Sequence, residues 1–511
     1  MRRRRTLFDF VAGTRFALVS VKMTRKHGAG LGLILTMTTG FAGAWVASPA
    51  ASAAPPAWGA CPQAIAAAAP TMQCSRVTVP LDYQKPTGAK IDLTISRIAS
   101  TDPEKRRGVL LLNPGGPGVS GLTMPFDLVN RGIPNTVLDT YDLIGLDPRG
   151  VGHSSPVDCK FTVEQNYPGN IPPWAENAAT VAADAKAAKA VAEQCAANDT
   201  GNRMAHMSTA NTARDLDQIR RALGEPKASF FGASYGSALG AAYASMFPRT
   251  TDRVILDSNL GDTALTRESQ RRYGLGMEQA FPDFARWLAD RHGAYGLGRT
   301  PKDVRQTYFA LAERLDSRPV SGLDGRFFRQ FTYVSLFNKS SYGILAQLWQ
   351  SLNVTGHAPA TTMAAAAAQP HAQTNFLSSF LAVTCNDSVW PSEVGVYQRD
   401  VAEDRKKFPM FGAASANISP CAFWSRKSPE PQAEINDNGP VNILILQNRR
   451  DVATPLVGAQ ILRREFAQRS RLVTVDDNQH GVYVFGGNAC ALNVGTAWLV
   501  EGKLPRDSNC R

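Results

Sequence analysis

Short, nearly continuous apolar runs alternate along this chain with longer stretches in which apolar residues recur every three or four positions. The short runs are 108–113, 141–147, 228–231, 253–256 and 441–446. Strands that are apolar on both faces belong in the middle of a parallel sheet. Ahead of them, 76–81 and 90–98 read as two antiparallel edge strands. In the second, Ile91, Leu93, Ile95 and Ile98 alternate imperfectly. Segment 209–223 carries the stripe Ala213, Leu216, Ile219 and Leu223, closed by Gly224 as a helix stop. Residues 237–247 form a small-residue helix, and 159–205 is a polar, alanine-rich and partly helical excursion. Strand–helix alternation of this kind predicts an α/β fold: a mostly parallel sheet covered by helices on both faces. From 261 to 438 the period changes. Helices are expected at 270–291, 301–315 and 327–352, and 361–368 reads as a lid loop or weak helix without chemistry. The organisation expected is a core at 54–260, an inserted, mainly helical cap at 261–438, and the rest of the core at 439–511.

The run 228–231 leads into Gly232-Ala233-Ser234-Tyr235-Gly236 and then directly into a helix. This is G-x-S-x-G in a strand–turn–helix context. The turn is too sharp for a β-carbon at either flank, and it holds the serine in a strained conformation with its hydroxyl exposed above the sheet. A serine hydroxyl needs a base, and the base needs an orienting acid. Of the seven histidines, His27 lies in an apparent export signal. His153 sits in a glycine-rich turn, His206 precedes a helix, and His292, His357 and His371 fall in the irregular middle. His480 alone ends a loop directly after a strand, followed by Gly481. The run 441–446 leads into Asp451-Val-Ala-Thr-Pro455, which makes Asp451 the acid. Asp476 and Asp477 read as solvated loop residues, too near His480 along the chain to orient its ring. The order Ser234, Asp451, His480 is that of an α/β-hydrolase. The run 108–113 opens into Pro114-Gly115-Gly116-Pro117-Gly118, where glycines let backbone N–H groups approach a developing oxyanion. The expected donors are the N–H groups of Gly116 and Tyr235, each worth about 3 kcal/mol of barrier.

Asn113-Pro-Gly-Gly-Pro-Gly118, Asp147-Pro-Arg-Gly-Val-Gly-His-Ser154, the serine pentapeptide and Asp451-Val-Ala-Thr-Pro455 together resemble the secreted tripeptidyl aminopeptidases of actinobacteria. These are α/β-hydrolase peptidases that also include prolyl aminopeptidases. The resemblance runs from about Pro56 to the C-terminus and is weakest in the middle. It implies a serine exopeptidase releasing short peptides, tripeptides first among them, from free N-termini of peptides or proteins. Two positions depart from related patterns. Gln479 stands where the family often has glycine before the base, and Pro114 stands where prolyl aminopeptidases usually have histidine. An aminopeptidase must also hold a free ammonium, for which a carboxylate is the natural partner. The candidates in the expected cap are Glu268, Glu278, Asp387 and Glu393. Asp147 and Arg149 are expected to hold their own turn together.

Composition narrows the rest. Residues 28–46 are largely apolar, follow Arg25, Lys26 and His27, and precede the small-residue site Ala51-Ser52-Ala53. Together these predict an export signal over 1–53, with Met23 as an alternative start. That segment holds eight basic residues and one acidic, so the remaining chain carries only about +5 of the net +12. No basic run is interleaved with aromatics, and nucleic-acid binding is not expected. All eight cysteines follow the signal. An even count in an exported chain predicts disulfides, and the sequential set Cys61–Cys74, Cys159–Cys195, Cys385–Cys421 and Cys490–Cys510 is the expectation. Without a C-x-x-C pair, no metal or cofactor is expected. Three other readings stay open: a carboxylesterase with the same three residues, a prolyl aminopeptidase, and a non-catalytic envelope binding protein. Removal of the signal would leave no membrane anchor and a secreted or envelope-associated product.

Overall fold

Ten strands form one sheet in the computed structural model, which describes residues 55–511 apart from 163, 164, 166, 168, 321, 358–369 and 427. The expected signal at 1–53 and the alanine-rich segment 361–368 lie outside the described residues. In chain order the strands are β1 (Gly59–Ala60), β2 (Gln73–Pro80), β3 (Lys90–Ile98), β4 (Gly108–Asn113), β5 (Tyr141–Leu146), β6 (Ala228–Ala233), β7 (Thr251–Asp257), β8 (Ile443–Asn448), β9 (Ser470–Val475) and β10 (Ser508–Cys510). Their spatial order is β1-β2-β3-β5-β4-β6-β7-β8-β9-β10. The first three strands pair antiparallel, as does β3 with β5, and every later pairing is parallel. β1 and β10 are additions to the sequence reading. Both are too short to carry a periodic signal.

All residues of β4, β5, β6 and β8 are buried. Side chains alternate between two cores, as a strand's period of two requires. Val109, Leu111, Phe230, Val254, Ile443 and Ile445 face one cluster, and Leu110, Leu112, Phe231, Ile255, Leu444 and Leu446 face the other. The chain leaves β4 toward β5 on one side, while β6 lies on the other side and leads away to β7. Adjacent parallel strands whose connections depart in opposite directions leave a crevice at their carboxyl ends. Register brings Asn113 level with Gly232, and Ala233 level with Asp257. Three strand ends are thus collected around that crevice.

Between β7 and β8 stand the helices Arg267–Ala289, Pro301–Ser317, Gly325–Ser335, Tyr342–Thr355, Pro370–Asp387 and Val394–Lys407. The single helix expected over 327–352 is broken. Asn338 is extended, and its side chain accepts from the Ser340 N–H, starting a 3₁₀ turn over Lys339–Ser341. A short polar side chain that bonds its own following backbone competes with helix continuation. The hydrophobic clusters also cross the expected boundaries of the cap. Ile171, Trp174 and Val181, from the excursion after β5, share a core with Phe281, Tyr308 and Trp349. Phe380, Leu381 and Val383 join the sheet's own cluster. The four disulfides are the sequential set. Among the described residues no helix is long and apolar enough to cross a membrane.

Candidate active site

β6 ends at Ala233, and the helix Tyr235–Met246 begins two residues later. Ser234 between them has φ 59° and ψ −125°, in a region that L-residues rarely occupy. Such a conformation costs roughly 1–3 kcal/mol and persists only where the surroundings enforce it. Here they do. A β-carbon on Gly232 would lie 2.2 Å from the Gly236 carbonyl oxygen, and one on Gly236 would lie 2.5 Å from that of Asn113. The Ser234 N–H donates to the Asp257 carbonyl at 2.9 Å, and the Ser234 carbonyl accepts from the Ser237 N–H at 2.8 Å. Glycine is needed at both flanks because the chain crosses itself within contact distance there.

The loop after β4 presses against this turn. A β-carbon on Gly115 would sit 2.7 Å from the Ala233 oxygen, 2.9 Å from Ser234 Cβ and 3.2 Å from the Tyr235 nitrogen. Gly115 and Gly116 both have φ of +109°. The Tyr235 N–H stands in the first turn of its helix, where backbone donors have no intrahelical partner.

Asp451, fully buried, follows β8. Its Oδ1 accepts the N–H groups of Ala453 and Thr454, each at 2.9 Å. His480 Nδ1 lies 2.9 Å from Oδ2 and 3.0 Å from Oδ1 of the same carboxylate. A ring nitrogen facing a carboxylate carries the proton, which leaves Nε2 free to act as a base. Burial alone would lower the His480 pKa. The charge of Asp451, its hydrogen bond and the charge of Asp257 together outweigh that and raise it above the ordinary 6.5.

The histidine loop is held from three directions. Asn448 Nδ2 donates to the carbonyls of Gln479 and Gly481. The His480 N–H donates to the Phe337 carbonyl at 2.9 Å, and the two rings lie 5.1 Å apart. The Gly481 N–H donates to Ser258 Oγ, while Asp257 accepts the N–H groups of Val482 and Tyr483. From sequence, Asp257 is only the residue that ends the run 253–256, and neither it nor Ser258 is given a role there. Asp257 is fully buried, which pushes its pKa up to about 6 against the opposing hydrogen bonds. Its oxygens serve the histidine loop's backbone and the Ser258 hydroxyl, whereas Asp451 serves the imidazole besides the N–H groups of its own turn. Asp257→Ala leaves two buried N–H groups unpaired. Urea unfolding is expected to show a loss of about 2–5 kcal/mol, with Asp257→Asn losing less because one acceptor remains.

Ser234, Gly116, Asn170, Ile171, Leu260, Leu265, Tyr273, Tyr333, Phe337, Ala453 and Thr454 line one pocket. The break at Asn338 thus has a consequence for the site: Phe337 just before it both lines this pocket and holds the histidine loop.

None of the four expected ammonium-binding carboxylates is among the lining residues. Glu268 and Glu393 are exposed. Glu278 pairs with Arg305 at 2.9 Å and accepts the Met410 N–H. Asp387 is buried and takes the N–H and hydroxyl of Thr209 at 2.7 and 2.6 Å. The Thr209 hydroxyl in turn meets the Tyr235 hydroxyl at 2.6 Å. Burial pushes the Asp387 pKa up to about 7. It braces the helix behind Ser234 from below, a role its sequence neighbours do not reveal. Asp147 holds the turn, whereas Arg149 ties it to other segments, donating to the Leu81 and His206 carbonyls. Asp147 accepts the His153 N–H, and Arg149 pairs with Asp215 at 2.6 Å in full burial. Asp476 and Asp477 are paired with Arg450 and Lys339.

A family model described as TAP-like protein matches residues 408–510. The tripeptidyl aminopeptidase of Streptomyces lividans is 35% identical over 457 residues, which is 86% of this chain and 83% of that protein. Serine protease Hip1 of Mycobacterium tuberculosis is 30% identical, over 84% of this chain and 86% of its own length. Carboxylesterase B of the same organism is 29% identical, over 88% and 89%. With the elbow, the fold and this extent of identity in agreement, the chain belongs to the tripeptidyl aminopeptidase family of α/β-hydrolase serine peptidases.

Proposed function

We propose that this protein is an exported serine exopeptidase that releases tripeptides from free N-termini. Ser234 Oγ attacks the scissile carbonyl, and His480 Nε2 takes the hydroxyl proton. The N–H groups of Gly116 and Tyr235 receive the oxyanion. His480 then gives its proton to the leaving amine, which departs as the shortened peptide. Water, deprotonated by the same imidazole, hydrolyses the ester on Ser234 and frees the short acyl peptide. Asp451 holds the ring so that Nε2 faces the reaction. The observation that carries the peptide-length reading is the position of Tyr273, Tyr333 and Phe337. These three cap aromatics bound the pocket around Ser234, which suits a short acyl segment better than a chain continuing in both directions. Export is supported by four disulfides and by the leader-like composition of residues 1–53.

The lack of a carboxylate among the residues lining this pocket favours a second reading, a carboxylesterase, which one relative is named for. One panel decides between them: Ala-Pro-Ala anilide, its N-acetylated twin, proline anilide and nitrophenyl butyrate, with Ser234→Ala as blank. The expected result is fast release from the free tripeptide, with the acetylated peptide and proline anilide slow. Ester turnover with every anilide inert would replace the peptidase reading with the esterase one.

A further inference from the structure

The helix Pro370–Asp387 lies in the expected cap by sequence, yet it packs against the loop after β4. A β-carbon on Gly118, two residues after Gly116, would lie 2.8 Å from the Phe376 carbonyl oxygen and 3.0 Å from the Phe380 nitrogen. The loop that carries one proposed oxyanion donor therefore rests on this helix. Asn375 joins the same helix to the turn after β5. Its Nδ2 donates to the Gly150 and Val157 carbonyls, and its Oδ1 accepts the Gly152 N–H.

The last three residues of the helix reach toward the other donor. Cys385 is bonded to Cys421. Asn386 Nδ2 donates to the Met204 and Met207 carbonyls, which fixes the segment leading into the helix Thr209–Ala222. Asp387 then accepts the Thr209 N–H and hydroxyl, and that hydroxyl meets the hydroxyl of Tyr235. All three residues are buried, and among the described residues Asp387 has no cation beside it. A buried carboxylate without a cation is costly to keep. Helix capping does not account for it, because the Ser208 side chain already accepts the Asn211 N–H as the cap.

A carboxylate only accepts. The Thr209 proton therefore points at Asp387, and the Thr209 oxygen takes the proton of Tyr235. Burial holds the Tyr235 pKa well above 10, so that hydroxyl keeps the proton it donates. The hydroxyl lies on the axis about which its ring turns, so rotation at χ2 does not move it. Only χ1, confined to a staggered well, separates its position from the orientation of the Tyr235 backbone.

We infer that Asp387 is a positioning residue for the oxyanion hole: through Thr209 and the Tyr235 hydroxyl it sets the direction of the Tyr235 N–H, while its helix supports the Gly116 loop at Gly118. The inference rests on the acyl-enzyme at Ser234 and is independent of how many residues are released. Donors of this kind must aim at the place the oxygen takes in the tetrahedral intermediate, not at the ground-state carbonyl. Asparagine in place of Asp387 reverses the chain. Its oxygen keeps the Thr209 N–H and its NH₂ donates to the Thr209 oxygen. The Thr209 proton then turns to Tyr235, and the Tyr235 proton loses its acceptor.

The test compares Thr209→Val, Tyr235→Phe and Asp387→Asn on a tripeptide anilide and on nitrophenyl butyrate, which pass through the same kind of oxyanion. Fluorophosphonate titration counts active sites, so kcat per labelled site excludes losses through unfolding. Each variant is expected to lower that kcat about tenfold or more for both substrates, within the roughly 10²–10³ that loss of a whole donor brings, with KM unchanged. Butaneboronic acid forms a tetrahedral adduct on the serine with an oxygen in the hole, and its binding is expected to weaken by the same factor. Thr209→Ser keeps the hydroxyl and is expected to recover most of kcat. Tyr235→Phe removes a single oxygen and carries the test should Asp387→Asn fail to fold. An unchanged kcat per site in Thr209→Val and Tyr235→Phe overturns the positioning role. Boronate binding indifferent to the variants, or no recovery in Thr209→Ser, does the same, and each leaves the peptidase reading standing. Wild-type protein active on the ester alone overturns the peptidase reading, and the same variants then decide the positioning role on the ester.

Discussion

Ser234→Ala is expected to lower kcat for a tripeptide anilide by about a million-fold, His480→Ala by a similar factor, and the double variant by no more than either alone. Without the hydroxyl there is no acyl-enzyme, and without the imidazole the hydroxyl keeps its proton, so either loss disables the same step. What remains is positioning and the two backbone donors beside Gly115, which together still exceed the uncatalysed rate. Single-turnover kinetics with a fluorophosphonate-labelling control measure both quantities. A double variant slower than the singles by their multiplied factors would mean that the two groups act independently, contrary to the proposed mechanism. Substantial turnover left in Ser234→Ala would point to another nucleophile.

Asp451→Asn is expected to cost about ten-thousand-fold in kcat, although the substitution is nearly isosteric. The reason lies in the N–H groups of Ala453 and Thr454, which both point at Oδ1. An asparagine oxygen would stay with those two donors and turn its NH₂ toward His480. The ring would then accept at Nδ1 and carry its proton at Nε2, which is the wrong tautomer for taking a proton from Ser234. Dependence on pH supplies a second readout. His480 must be neutral to act as base, and its pKa stands above 6.5, so the acid limb of kcat/KM in the parent enzyme has its midpoint above that value. In Asp451→Asn the larger raising charge and its charged hydrogen bond are gone, leaving burial opposed only by the smaller effect of Asp257, so the limb moves to lower pH. Stability follows the opposite sense. A histidine whose folded pKa is raised stabilises the fold fully below the unfolded value, and that contribution is lost as pH rises through the folded one. Over one window, then, rising pH is expected to increase activity while this contribution to stability declines.

Much of the sheet was legible because its central strands are buried on both faces, so runs such as 108–113 and 228–231 are apolar at all but one position and show no alternation. The elbow was legible because contact distances at Gly232 and Gly236 forbid any other residue. The pairing of Asp451 with His480 followed from the order of strand ends along the chain. What the sequence concealed depends on contacts between distant segments. Nothing near Asp257 announces that its partners are Val482 and Tyr483, and nothing near Asp387 announces Thr209. All four proposed cap carboxylates were chosen for charge, and the fold either exposes them or assigns them other partners. The break at Asn338 was hidden for a different reason. The apolar period continues on both sides of it, and the competing signal is a single side chain bonding to its own backbone.

The connectivity of the cysteines has a consequence for how such a protein is made. Each bridge joins a cysteine to the next one in the chain, across separations of 13, 36, 36 and 20 residues, and no bridge encloses or overlaps another. A polypeptide threading N-terminus first into an oxidising compartment presents the members of each pair in succession. A simple oxidant that joins every newly arrived thiol to the one still waiting generates the native set. Maturation therefore makes no demand on an isomerase to exchange mismatched partners, and the order of synthesis is itself the pairing instruction.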